Sequence, residues 1–328
     1  PEYKYGLSGN ISTGYWFTEY NNYMGSASLN YRIGNITFQG GFEYRRSPSF
    51  YKDNIEQLTH PLEIVNLQSE NFIEKYNTYS YNFGVDYKLT ERQTIGFNIN
   101  AFTNPGDISN STTTISRFFA NAHTSVVDSS INSYKTGRFK YGNRMMDVFY
   151  RNKLDSLGSK LDIGYSYVDY ELNDPFAIET KFLTGEGFEF RPRDRLFTHN
   201  IGTSQAHVIN LDLEQHFAKY TVVTLGAKYT ISRTDYSMDV RYGLDESLPL
   251  DASKSNSFIY KENILAIYGA IARSFTYWQG KVGLRAEQTE YTGHSPSSLQ
   301  RINRNQWNLF PSAYLNRKIG ENHSFTLS

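Results

Sequence analysis

The sequence contains no cysteine. Disulfides, thiol catalysis and cysteine-based metal sites are excluded together, and so is a small secreted module held by disulfides. There is no net charge either, with 33 basic and 33 acidic residues. Nothing in that balance points to nucleic acid or to an acidic surface as partner. No apolar run approaches the roughly 18–20 residues of a membrane-spanning helix, and no stretch repeats apolar residues at helical spacing. The opening Pro1-Glu2-Tyr3-Lys4 lacks the apolar region of a secretory leader, so the chain is expected to begin after any leader was removed.

What the sequence does have is aromatic residues in strict alternation with polar ones. It holds 27 Tyr and 22 Phe at a mean hydropathy of −0.56. Residues 81–102 read YNFGVDYKLTERQTIGFNINAF. Tyr81, Phe83, Val85, Tyr87 and Leu89 alternate with Asn82, Gly84, Asp86 and Lys88. After Thr90-Glu91-Arg92-Gln93, the residues Ile95, Phe97, Ile99 and Ala101 alternate with Gly96, Asn98 and Asn100. This is the pattern of a hairpin with one apolar and one polar face. It recurs over 23–32, 36–44, 161–167, 209–214, 223–232 and 281–287. The fold class is all-β. In a soluble sandwich the apolar face would be the core; in a membrane barrel it would face lipid, with the charges toward the lumen.

The connections favour the barrel. Short polar turns fall at Gly34-Asn35, Thr90-Glu91, Leu157-Gly158, Lys219-Tyr220, Trp278-Gln279 and Gly320-Glu321. Between them lie long stretches rich in Ser, Asn, Asp and Thr, at 47–76, 104–138, 173–203, 234–256 and 293–305. Short periplasmic turns with long extracellular loops are the habit of transmembrane antiparallel β-barrels. The pattern predicts about 12–13 strands, beginning near residue 5 on the periplasmic side and unfinished at His323–Ser328. Because an open edge in lipid leaves backbone groups unsatisfied, residues 1–328 are read as a partial outer-membrane β-barrel domain of a longer chain.

Asp86, Lys88, Asp162, Asp212, Glu214, Lys228, Glu262, Arg285 and Glu287 are expected on the lumen side. Facing lipid at the midplane, an Arg or Lys would cost about 2–4 kcal/mol. The seven histidines show no paired-ligand spacing; His207 and His216 lie nine positions apart, on opposite faces of one strand. Asp212 and Glu214 share a face, which permits acid–base work, but they are read as part of a hydrated lumen row. Phosphate loops, nucleophile elbows and calcium-loop spacing are all missing, so the expectation is a protein without enzymatic activity, metal or cofactor. Arg191, Arg193 and Arg195 form the densest basic cluster, in an expected outer loop, read either as a solvated run or as a weak candidate site for an anionic ligand or lipopolysaccharide phosphates. Tyr165, Tyr167, Tyr170, Trp278 and Trp307 are expected to form an interfacial girdle.

Several stretches, taken in order, resemble the barrel of TonB-dependent outer-membrane receptors of the Bacteroidota type. They are Phe83–Phe102, Asn210–Asp239, Phe258–Tyr268 (FIYKENILAIY), Lys281–Thr289 (KVGLRAEQT) and Leu309–Leu315 (LFPSAYL), followed by HSFTLS. The resemblance implies a plugged barrel of about 22 strands in a bacterial outer membrane, importing a scarce nutrient. It makes Glu262, Arg285 and Glu287 structural lumen residues. It also implies outer-membrane lipid and lipopolysaccharide as surroundings, with a surface lipoprotein as possible partner. Coupling to the TonB complex would run through a plug that residues 1–328 do not contain. A passive porin, a barrel in secretion or surface assembly, and a soluble carbohydrate-binding β-protein are the competing readings.

Overall fold

Alternation without helical spacing leaves the strand as the natural element, and strands take up most of the chain. The computed structural model describes residues 5–59, 64–75, 77–106, 110–119, 124–217, 220–297, 299–320 and 323–327. In chain order the first strands are β1 (Tyr5–Phe17), β2 (Asn21–Ile33), β3 (Ile36–Arg46), β4 (Ser49–Thr59), β5 (Ile64–Glu74) and β6 (Asn77–Lys88). Next come β7 (Gln93–Asn104), β8 (Asn110–Phe119), β9 (Ser129–Gly137), β10 (Lys140–Lys153), β11 (Lys160–Thr184) and β12 (Glu189–Phe217). The last are β13 (Thr221–Tyr242), β14 (Asn256–Ser274), β15 (Trp278–Ser295), β16 (Gln300–Ile319) and β17 (His323–Leu327). All belong to one antiparallel sheet, with no helix among the described residues.

The sheet is an up-and-down wall. β1 pairs with β2, β2 with β3, β3 with β6, β6 with β7 and β7 with β10. From β10 to β17 each strand pairs with the next. β4 prolongs β3, β5 leads into β6, and β8 and β9 extend β7 and β10. These four pair in turn and join the upper half of β11. Among the described residues seventeen strands therefore make thirteen staves, in line with the count expected from the alternation. Two of the breaks fall at Pro48 and Pro105, because proline brings no N–H to the ladder.

At one end the connections are tight. Gly34, at φ 56°, turns β2 into β3. Between β6 and β7 the Thr90 hydroxyl accepts from the backbone N–H groups of Arg92 (3.2 Å) and Gln93 (3.1 Å). Between β14 and β15 the turn lies at 275–277, slightly ahead of its expected place, and Trp278 already opens the strand. Lys219, Glu321, Ser328, the residues Pro1–Lys4 and two of the histidines, His60 and His123, lie outside the described residues.

The other end differs from its expected form. Stretches read as loops at 47–76, 104–138 and 173–203 are largely strand: β4 with β5, β8 with β9, and the upper parts of β11 and β12. β11 runs for 25 residues and β12 for 29, far beyond the roughly 9–11 that cross a bilayer with tilt. Above the membrane both faces of a hairpin meet water, so no apolar row is required and the sequence carries none. Hydroxyl pairs such as Ser133 with Thr180 (3.0 Å) join neighbouring strands there instead.

Lower down, register keeps the two faces pure. Phe83 faces Ile99, Val85 faces Phe97 and Tyr87 faces Ile95, while Asp86 faces Gly96 and Gly84 faces Asn98. The apolar set continues through Ile163, Leu211 and Ala227 to Ile267 and Ala286. These apolar side chains are the exposed ones: Ile209 is 53% accessible, Leu225 51% and Ile267 59%, whereas Ala266 on the other face is fully buried. Such a surface in water would exceed what a soluble domain tolerates; in a bilayer it is the solvent contact. Val223 to Ile231 covers about 27 Å of strand, and a tilt of roughly 40° makes that about 20 Å of height, close to a transmembrane band.

Candidate functional site on the polar face

Asp86 and Lys88 on β6, Asp212 and Glu214 on β12, Lys228 on β13, Glu262 on β14, and Arg285 and Glu287 on β15 all lie on the face opposite the apolar row. The structure brings six of the eight into one panel, β12 to β15. Asp86 and Lys88 stand apart, several staves away. The Asp86 Oδ1 atom is buried without a hydrogen-bond partner among the described residues, beneath the Phe149 ring that fills the space above Gly96.

A missing side chain organises the panel. Gly226 lies between Asp212 and Tyr268 in the register, and the Tyr268 ring occupies the place where a Cβ at 226 would stand. From there the Tyr268 hydroxyl donates to Asp212 Oδ1 at 2.5 Å. The Asn210 amide donates to Asp212 Oδ2 at 3.0 Å. On the far side the Arg285 guanidinium sits 5.2 Å from the Tyr268 ring centre and pairs with Glu287. A continuous polar chain thus crosses four strands. A second chain starts at Arg151, which holds Asp162 at 2.7 Å. Lys160 bridges Asp162 and Glu214 (4.0 and 3.8 Å), and His216 contacts Glu214 at 2.8 Å. Tyr260 donates to Glu262 at 3.0 Å.

Asp212 and Glu214 therefore have separate partners rather than sharing a proton or a ligand. Tyr268, Gly226, Asn210, Arg151 and Lys160 were not legible as site residues. Their signal is a glycine in mid-strand on the polar face opposite a large side chain, as in Gly226 with Tyr268, Gly96 with Phe149 and Gly164 with Asn210. It becomes visible only once register is known. His216 is on the polar face, but His207 is on the apolar one, where its Nδ1 meets the Tyr165 hydroxyl at 2.8 Å and Tyr167 lies alongside. The two histidines do not share a site.

Arg191, Arg193 and Arg195 lie on the upper part of β12, not in a loop. Arg193 pairs with Glu189 (2.7 Å) and Glu179 (3.1 Å), Arg195 with Glu179 (3.0 Å), and Arg191 with Asp194 (2.9 Å). The hydrogen bond from Arg195 holds the Glu179 carboxyl below its ordinary range, and that from Arg193 does the same for Glu189. The basic run spends its charge inside its own hairpin, which removes the reason to expect an anion there. Of the expected girdle, Tyr165, Tyr167, Trp278 and Trp307 share the apolar face. Tyr170 is on the polar one, where it meets no lipid.

The family model described as the outer membrane protein beta-barrel family matches residues 152–328, more than half of the chain. No curated protein matches the sequence. Similar solved structures include the outer membrane protease OmpT from Escherichia coli, at 10% identity and TM-score 0.29 over 89% of this chain and 97% of that one. The Pseudomonas putida toluene transporter TodX shares 8% identity at TM-score 0.29, over 88% of this chain and 84% of its own. The CymD monoaromatic hydrocarbon channel shares 10% at TM-score 0.27, over 97% and 89%. Likenesses of this size assign no activity here. The expectation of a protein without enzymatic activity is not upheld, since an outer membrane protease is among these structures.

Proposed function

The chain belongs to the outer membrane protein beta-barrel family, and from that premise we propose that it is the wall of a nutrient importer of the TonB-dependent receptor type. A bacterial outer membrane is its solvent, which removes the soluble carbohydrate-binding alternative. The observation that carries the transport reading is the sharing of one face by Asp86, Lys88, Asp162, Asp212, Glu214, Lys228, Glu262, Arg285 and Glu287, opposite the apolar band. Lipid asks for no such face. A hydrated path or a plug docked against the wall does, because the Asp212–Tyr268–Arg285–Glu287 chain offers fixed donors and acceptors to whatever lies beside it. The TonB type and the Bacteroidota lineage rest on the resemblance of the stretches from Phe83 to Leu315. In this reading the long upper hairpins capture the solute, a surface lipoprotein assists, and a plug moved through TonB releases it.

The test uses the full-length gene product in planar bilayers, together with cells carrying or lacking the gene. The expected result is a protein that conducts no steady ion current. The gene should confer growth on one solute in a panel of iron chelates, cobalamin and glycans, and dissipating the proton-motive force should abolish that growth. A steady open conductance with growth insensitive to the proton-motive force would make the protein a passive pore.

A further inference from the structure

Two consecutive rows of the register pass over the top of the apolar band on the lipid-facing side. The lower runs Arg144, Asp169, Gln205, Arg233, Lys261, Thr292 and Asn303 from β10 to β16; in the upper, Asp235, Ile259, His294 and Arg301 follow one another from β13 to β16. Over β10 and β11 the charges on these rows are paired: Arg144 with Asp169 (3.2 Å) and Glu171 (3.3 Å), and Glu171 also with Lys140 one row above (3.9 Å). Over β13 to β16 they are paired only in part. Arg233, Lys261, His294 and Arg301 converge on a recess of about 230 Å³ with Ile259 and Thr292 in its lining. Asp235 binds Arg233 through both carboxylate oxygens (2.6 and 2.8 Å). Lys261 and Arg301 have no ion pair among the described residues, and Glu290, one row below on β15, bonds to neither.

We propose that this recess binds the phosphate-bearing headgroup of an outer-leaflet glycolipid, with Lys261 and Arg301 as the principal contacts. Three observations meet there. The cations share a face with Leu265 and Ile267, so an acyl chain lying along the band brings its headgroup to their height. Asp235 is engaged by Arg233, so the cations outnumber the carboxylates in the cluster; like charges repel, and an anion would offset that repulsion. Guanidinium and ammonium groups around a recess match a phosphate, the first as a planar fork and the second as a point charge. The carboxylate-paired rows over β10 and β11 show that a cationic rim is not a general property of this wall. The assignment rests on the outer-membrane location and not on the transport reading.

The experiment measures binding of detergent-purified full-length protein to phosphorylated lipid A, dephosphorylated lipid A and inorganic phosphate. Wild-type protein is compared with Lys261→Gln/Arg301→Gln and with Lys261→Arg/Arg301→Lys. Phosphorylated lipid A should bind wild type and lose about tenfold or more in the glutamine variant, as loss of charged hydrogen bonds implies. The charge-preserving variant should retain most of the affinity, which separates lost charge from lost folding. Dephosphorylated lipid A should bind wild type no better than the phosphorylated form binds the glutamine variant. Equal binding of the two lipids, or equal binding by wild type and glutamine variant, overturns the site. Inorganic phosphate binding in a Lys261-dependent way while lipid A does not would overturn the lipid assignment.

Discussion

Along β13 the residues Leu225, Ala227 and Tyr229 alternate one by one with Gly226, Lys228 and Thr230, yet the two sets answer to different demands. The first set is exposed or half-exposed and touches neighbours only through registered apolar side chains. In the second, Gly226 is tied to named partners: it makes room for Tyr268, and Tyr268 reaches Asp212. The lipid-facing side needs the right chemical class and tolerates exchange within it. The polar side needs particular residues at particular places. That contrast is why the proposed transport reading is placed on the polar face, because specification beyond solvent class is what the membrane alone does not require.

Introducing charge on the lipid face should break the contrast hardest. Leu225→Arg or Ile267→Arg should each cost about 2–4 kcal/mol at mid-membrane depth, read as a fall in the denaturant midpoint of the folded barrel in detergent or bilayer. Lys228→Leu, three residues from the first of these and on the other face, should stay within about 0.5 kcal/mol. Equal losses at both positions would mean that the faces are assigned the wrong way round. Gly226→Ala comes next. Its Cβ would displace the Tyr268 ring and with it the bond to Asp212, at about 1–3 kcal/mol. Tyr268→Phe should cost about 1 kcal/mol, since Asn210 still serves Asp212. The double variant should cost less than the sum of the two, because both remove one bond. Additive losses would show that ring and glycine act independently.

The same contrast explains how much was legible in the sequence. The hairpin from Tyr81 to Phe102 was readable in full, with its apolar row, its turn and the side of Asp86 and Lys88, because the lipid face imposes a two-residue period on it. Where the chain leaves the membrane that constraint ends, and β4, β5, β8, β9 and the tops of β11 and β12 resembled polar loops. Pairings across the wall were equally hidden. Tyr268 lies 56 residues from Asp212 and Arg195 lies 16 from Glu179, and only register brings such residues together. The glycine at 226 read as one more small polar-face residue until the Tyr268 ring was placed above it.

The smallest effect is expected at the turn between β10 and β11, below the band, where neither face rule applies. There Asp155 Oδ1 accepts from the backbone N–H groups of Leu157 (2.8 Å), Gly158 (3.1 Å) and Ser159 (3.0 Å). The hydrogen bond with the Ser159 side chain is the largest of the causes that hold its pKa below the ordinary carboxylate value, with these backbone donors adding to it. Gly158, at φ 108°, supplies a backbone conformation that a side chain would strain. A depressed carboxylate pKa places the stabilisation above the unfolded value of about 4 and removes it as pH falls through the lower folded value. Amide exchange at Leu157 and Ser159 should therefore be protected at neutral pH, once corrected for the intrinsic pH dependence of exchange. Protection should then decline below about pH 4, and Asp155→Ala should lack both the protection and its pH dependence. Stability of the barrel as a whole should barely change, because the registered ladder on either side holds the hairpin. If Asp155→Ala instead lowered the global denaturant midpoint as much as Leu225→Arg, this turn would be fixing the register of β10 against β11, and the division of labour between the two faces would have to include the turn beneath them.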